Sequence, residues 1–178
     1  WQMGNSILQI IFIPEIILSI LSMICLLYGL YSKNNTYEKT TNFALISLFF
    51  TAFFIYFNPT TQFAHFNELF TNSSFVQFFK LLIIFGTFTC LIISKNYFKE
   101  IKITKFEIPV LLLFATIGML LMIGANDLMA MYLAIELQSL PLYVLASINR
   151  KSLKSSESGV KYFVLGALSS GILLYGFS

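Results

Sequence analysis

Apolar residues fill six long stretches of the chain, and short polar segments separate these stretches. A helix needs about 20 mostly apolar residues to cross a hydrocarbon core of about 30 Å, and it satisfies its backbone hydrogen bonds within one segment. The pattern therefore predicts an all-α, polytopic membrane helix bundle of about six transmembrane helices. We expect these helices at residues 14–32, 41–58, 75–94, 108–125, 127–148 and 159–178, in a single transmembrane domain that spans 1–178.

The composition supports a lipid environment. Hydrophobic residues make up 57% of the chain and charged residues 11%, and the mean hydropathy is +0.81, whereas soluble domains carry roughly 25% charged residues. Cys25 and Cys90 lie inside apolar runs, and no group of residues has the spacing of a metal site. We therefore expect lipids as partners, and we expect no metal, no cofactor and no nucleic acid to bind this chain.

Basic residues fall almost entirely into three segments. They follow the first, third and fifth predicted helices, and they are Lys33, Lys39, Lys95, Lys99, Lys102, Lys105, Arg150, Lys151, Lys154 and Lys161. Because short loops rich in Lys and Arg are retained on the inner side of a membrane, we expect these segments inside and both termini of the chain outside. Lys80 lies elsewhere, near the outer end of the third helix, where we expect its side chain to snorkel to the headgroups.

One carboxylate lies deep in a predicted helix. Nine residues at about 1.5 Å each place Glu136 roughly 13 Å into the fifth helix, near the middle of a core about 30 Å thick. A charged group there costs about 2.5 to 3.5 kcal/mol on insertion scales, so such residues are rare without a function. Gln138 and Ser139 add polar groups next to it. Because a nearby cation controls whether a buried carboxylate holds its proton, Glu136 is a candidate for proton transfer.

Carboxylates at the helix ends have simpler interpretations. We expect Glu15, Glu107 and Asp127 to cap helices, to compensate helix dipoles or to be hydrated at the interface. Glu15 follows Pro14 at the start of the first helix, a common position for both residue types. His65 lies in a polar outer loop without intramembrane neighbours, so we expect it to have no part in proton transfer.

Two further residues of the last helices bear on a proton pathway. Pro141 frees the carbonyl of Leu137 and bends the fifth helix, either as a packing kink or as a place that orders water. Lys161 lies at the inner end of the sixth helix, where it either snorkels to the headgroups or points into the bundle and helps a proton enter. Small residues between Gly159 and Gly171 predict close packing and a central position for the sixth helix.

The fifth and sixth helices carry a recognisable sequence. Residues 127–143 read DLMAMYLAIELQSLPLY, and residues 161–176 read KYFVLGALSSGILLYG. This sequence closely resembles subunit 2 of the proton-pumping NADH:ubiquinone oxidoreductase, respiratory complex I. The resemblance is dense over 106–178 and looser over 1–105.

The resemblance implies an antiporter-like subunit of the membrane arm, with about fourteen helices that include two inverted repeats of five. In such a subunit a glutamate of the fifth helix works with lysines of later helices to move protons, and Glu136 matches that glutamate. We expect this chain to be the N-terminal six-helix portion of a split subunit, with the later helices on a separate chain. The competing explanation is a gene that has decayed to a structural remnant.

Three functions stay open at this point. The first is proton translocation within an NADH:ubiquinone reductase, with other membrane-arm subunits as partners, because this chain has no flavin, iron–sulfur or quinone signature of its own. The second is a subunit of a multisubunit cation/proton antiporter, and the third is an inert scaffold of the membrane arm. The bias toward Phe, Ile, Lys and Asn, with Arg150 as the one arginine, favours the mitochondrial inner membrane with both termini toward the intermembrane space. The bacterial inner membrane is the alternative.

Overall fold

The computed structural model describes residues 13–32, 35–58, 61–65 and 70–178. In this part of the chain lie six helices and two short strands: α1 (Ile13–Tyr31), α2 (Thr36–Phe57), β1 (Thr61–His65), β2 (Phe70–Asn72), α3 (Ser74–Glu100), α4 (Glu107–Gly124), α5 (Leu128–Ala146) and α6 (Leu153–Phe177). All six helices are long and apolar enough to cross a membrane, so the predicted fold class is confirmed. Lys33 and the side chain of His65 lie outside the described residues.

Three helices extend beyond the predicted boundaries. α2 begins five residues earlier, α3 continues to Glu100, and α6 begins at Leu153 rather than at 159. The added turns are polar and have their own stabilisation: Glu38 lies in the first turn of α2, Lys99 lies in the last turn of α3, and Ser152 Oγ accepts a hydrogen bond from the Ser155 amide. Hydrophobic patterning detects only the part of a helix that lies in hydrocarbon.

Helices α1 to α4 form a four-helix cluster. Each packs against the next, and α4 also packs back on α1 and α2. The cluster has one apolar core, which comprises Leu18, Cys25, Ala44, Leu48, Ile55, Ile84, Leu91, Val110, Leu113, Ile117 and Leu120. These four helices are therefore the compact part of the chain.

The last two helices are attached in sequence to one side of this cluster. α5 packs on α4, and α6 packs on α5. In the most apolar stretch of each helix, 56% of the residues are buried in α4, 17% in α5 and 0% in α6. The prediction of a central sixth helix is thus wrong for these six helices. Among the described helices, its small residues allow close packing with α5 alone. Gly159 packs against Ser147, and Gly166 packs against Tyr143.

Buried hydroxyl groups bond to carbonyls of their own helices. Thr41 donates to Tyr37 at 2.6 Å, Thr51 to Leu48 at 2.9 Å and Ser47 to Ala44 at 2.7 Å. Hydrocarbon offers no other partner, so this local bonding keeps a polar side chain inside the bundle at low cost.

The two ends of the bundle differ in charge and structure. The end that carries most of the basic residues is called the basic end. There Lys105 Nζ donates a hydrogen bond to the Ile148 carbonyl at 2.7 Å. This cation offsets the partial negative charge at the carboxyl end of α5. The opposite end, called the hairpin end, carries the antiparallel β1–β2 hairpin. In this hairpin Thr61 pairs with Asn72. The sequence pattern treated this segment as a loop.

Gly118 sets the approach of α5 to α4. A Cβ built on Gly118 lies 2.6 Å from the backbone nitrogen of Gln138, and backbone cannot move away cheaply. We predict that Gly118→Ala lowers the stability of the folded protein by about 1–3 kcal/mol, measured as thermal unfolding in detergent. Gly86→Ala is the matched control, because nothing lies within 4 Å of its built Cβ. Equal melting temperatures for the two variants would contradict this packing.

Candidate functional site

Helix α5 positions the predicted carboxylate. Asp127 caps the helix, and its Oδ2 accepts hydrogen bonds from the amides of Met129 at 2.9 Å and Ala130 at 3.2 Å. The capping interpretation of Asp127 is therefore confirmed. The cap fixes where α5 begins, and Glu136 follows about two and a half turns later.

Glu136 lies along the contact between α5 and α6. It is partly buried, and it shares a helix face with Tyr132 one turn before it and Tyr143 two turns after it. Both tyrosines contact α6: Tyr132 Oη lies 3.0 Å from Ser170 Oγ, and the Tyr143 ring packs edge-on against Tyr162 at 4.8 Å. The carboxylate of Glu136 makes no hydrogen bond or ion pair with any residue that the structure describes.

The polar residues expected beside Glu136 have other roles. Gln138 lies on the α4 side of the helix, where its backbone packs against Gly118. Ser139 Oγ donates to the Ile135 carbonyl at 2.7 Å, so its hydroxyl is satisfied on its own helix. Pro141 is buried inside α5. Glu136 is therefore left without a polar partner within this part of the chain.

Lys161 does not meet Glu136. Its ammonium group pairs with Glu157 one turn earlier on α6, and both side chains are exposed. Contacts of Gly159 with Ser147 and of Phe163 with Tyr143 place Lys161 level with residues 143–147 of α5. Glu136 precedes these residues of α5 by at least seven positions, which places it about 10 Å closer to the hairpin end.

A cavity of ≈ 700 Å³ opens between α4, α5 and α6 at the basic end. Its lining is mostly apolar and includes the charged residues Glu107 and Arg150. Lys161 and Glu136 are not among its lining residues. The cavity thus lies at the basic end of the α5–α6 contact, which is called the seam below, and it is separate from the Glu136 carboxylate.

Sequence reasoning missed a second charged site. Lys80 Nζ lies 2.5 Å from Glu15 Oε1, and both side chains are almost fully buried, at 6% and 5% exposure. Burial excludes the hydrated alternative for Glu15, whose position in the first turn of α1 still suits the helix dipole. The prediction that Lys80 snorkels is wrong. A buried charge without a partner is costly, and each residue supplies the other's counter-ion. The signal in the sequence was one acid in the first turn and one base in the second turn of two helices that start at the same end.

Breaking this pair is expected to destabilise the protein. Lys80→Met leaves the Glu15 carboxylate buried without compensation, which costs about 3–5 kcal/mol. The double variant Glu15→Gln with Lys80→Met recovers most of that loss, because no uncompensated charge remains. Thermal unfolding in detergent measures both effects.

The control for this prediction is Lys99→Met, which breaks the exposed pair of Lys99 with Glu38. Exposed pairs contribute little, so this variant should unfold close to the wild-type temperature. If Lys80→Met and Lys99→Met have the same unfolding temperature, the buried pair contributes no more to stability than the exposed pair does.

The chain is similar to known proteins along most of its length. The model of the family described as "NADH:quinone oxidoreductase/Mrp antiporter, TM" matches residues 125–178, which include Glu136 and Lys161. The chain is 50% identical over 167 residues to NADH-quinone oxidoreductase subunit N of Pelagibacter ubique, a match that covers 93% of this chain and 35% of the relative. It is 43% identical over 165 residues to subunit N 1 of Rhizobium meliloti, covering 93% and 34%.

A solved structure agrees with these relatives. A chain of respiratory complex I from Thermus thermophilus superposes with a TM-score of 0.74 and 27% identity, over 92% of this chain and 35% of that chain. This chain therefore spans about a third of the length of the curated relatives it matches. These relatives are designated subunit N rather than subunit 2.

Proposed function

We propose that this chain, which has the antiporter-like fold of complex I and is related to its subunit N along nearly its whole length, takes part in proton translocation as a membrane-arm subunit. Electron transfer is then the work of other subunits, and this chain contributes to an NADH:quinone oxidoreductase without a redox centre of its own. The observation that carries the proposal is Glu136, a carboxylate within α5 that has no partner among the described residues.

Glu136 is the group that holds the proton in this proposal. A carboxylate in hydrocarbon is stable when it is protonated or when a cation lies close to it. A lysine that approaches and withdraws therefore switches Glu136 between releasing and binding a proton. Lys161 is about 10 Å away along the seam, so we assign it at most a role in proton entry from the basic end. The switching lysine comes from helices beyond α6.

The exposed faces of α5 and α6 support further helices at this seam. No residue in the apolar stretch of α6 is buried within the chain, although the helix carries several small residues that favour close packing. Helices seven onward would cover these faces and bring their lysines toward Glu136. Under the split-subunit hypothesis, a second polypeptide supplies them.

We infer the orientation from the distribution of basic residues. The basic end lies on the inner side of the membrane, and the hairpin end with the termini lies outside. The named relatives come from bacteria, which fits the bacterial inner membrane. The mitochondrial inner membrane, with the hairpin end toward the intermembrane space, is the location that the residue composition favours.

A second candidate function has support of its own. The description of the matching family covers Mrp antiporters as well as NADH:quinone oxidoreductases, so a cation/proton antiporter uses the same type of helix around Glu136. The subunits that copurify with this chain distinguish the two, because a redox arm belongs only to the oxidoreductase.

Replacing Glu136 by Gln tests the proposal. The amide keeps the shape of the side chain and removes the titrating proton, so we predict that proton uptake per NADH oxidised falls in membrane vesicles that contain the whole complex. Glu136→Asp should retain part of the activity. Glu38→Gln is the control, because this exposed carboxylate lies at the basic end. An unchanged ratio in Glu136→Gln would favour an inert scaffold.

A further inference from the structure

The buried pair of Glu15 and Lys80 has one oxygen that the ion pair does not use. Lys80 Nζ contacts Oε1, whereas Oε2 is buried and has no hydrogen-bond partner among the described residues. An ionised carboxylate accepts up to about four hydrogen bonds, and buried polar atoms in folded proteins almost always have a partner. Oε2 therefore has lone pairs available to accept a hydrogen bond from water or to take up a proton.

Stability alone does not account for a charged pair in this position. Well-packed apolar residues of similar size usually stabilise a protein as well as a buried ion pair does, or better. The pair also joins α1 to α3, two helices that otherwise pack mainly against α2 and α4. An ion pair that bridges two such helices responds directly to any change in its charge.

The surroundings connect this pair to the hairpin end. Glu15 lies in the first turn of α1 and Lys80 in the second turn of α3. Beside them Gly124 ends α4, and its built Cβ lies 3.8 Å from Lys80 Nζ and 3.5 Å from the Thr71 carbonyl of β2. The pair thus lies close to strand β2 of the hairpin.

Few other charges are near this end of the cluster. The last turns of α2 and α4 and the strand β2 contain no charged residue. Asp127 caps α5 nearby and uses its carboxylate for two backbone amides. Glu68 and the His65 side chain lie outside the described residues.

We propose that the Glu15–Lys80 pair is a second proton-binding site, which exchanges protons with the aqueous phase at the hairpin end through Glu15 Oε2. A hydronium ion gives its proton to Oε2, which leaves water, a neutral carboxylic acid and the Lys80 ammonium. Release to water restores the carboxylate and the ion pair. Glu136 lies about 13 Å from the start of α5, whereas Glu15 lies in the first turn of α1, so the two carboxylates are separate sites. This inference rests on the proposed function and extends it to the hairpin end.

Protonation has a mechanical consequence for the helices. A neutral Glu15 loses its charge attraction to Lys80, and the contact between α1 and α3 weakens. Proton binding is thereby coupled to a small change at the hairpin end of the bundle, between helices that share little other contact.

The test is infrared difference spectroscopy of the purified, reconstituted complex during a pH change. We expect a carboxylic-acid C=O band that is present in the wild type, is lost in Glu15→Gln and remains in Glu38→Gln. We also expect a lower ratio of proton uptake to NADH oxidation in Glu15→Gln. A band and a ratio that both match the wild type would overturn the inference.

Two further variants keep the result interpretable. If Glu15→Gln does not assemble, the double variant Glu15→Gln with Lys80→Met removes the proton site without leaving an unpaired charge, and its band should be absent as well. Failure of both to assemble would show a purely structural pair and would also overturn the inference. Glu136→Gln in the same vesicles tests the proposed function separately. If this variant pumps protons like the wild type, the proposed function fails, whereas the infrared band of Glu15 still tests the second site.

Discussion

Hydrocarbon forms no hydrogen bonds, and this constraint governs the whole chain. It requires that each backbone segment in the membrane satisfies its own hydrogen bonds, and the described part of the chain accordingly has six helices of membrane length. It also explains why the buried Ser and Thr hydroxyls bond to carbonyls of their own helices rather than to each other. Polar groups that do not follow this rule are costly, so they identify the places where the protein does something other than fold.

Two such places stand out. Glu136 lies on the face of α5 that meets α6, without a partner among the described residues, and Glu15 shares a buried ion pair with Lys80. The first site has no counter-ion within this part of the chain. The second is complete in charge but has one unsatisfied oxygen. In our proposals the two carboxylates are separate proton sites, one within α5 and one near the hairpin end.

The sequence predicted the number of helices and the depth of Glu136 because both depend only on local hydrophobicity and on the rise of a helix. It also predicted the cap at Asp127, which is a local interaction. It failed for Glu15 and Lys80, since their pairing depends on how α1 and α3 are placed by α2 and α4. It failed for α6 for a similar reason: small residues indicate close contact but not how many neighbours the helix has. The polar first turns of α2 and α6 were missed because they lie beyond the apolar stretches.

A proton-transfer role for Glu136 depends most on what faces this residue in the assembled membrane protein. A structure of the intact complex that contains this chain, determined by electron cryo-microscopy in lipid, measures this directly. We predict that further helices cover α5 and α6 and that one of them places a lysine ammonium within reach of the Glu136 carboxylate. Lipid tails packed against Glu136, with no lysine near it, would contradict a proton-transfer role for this residue.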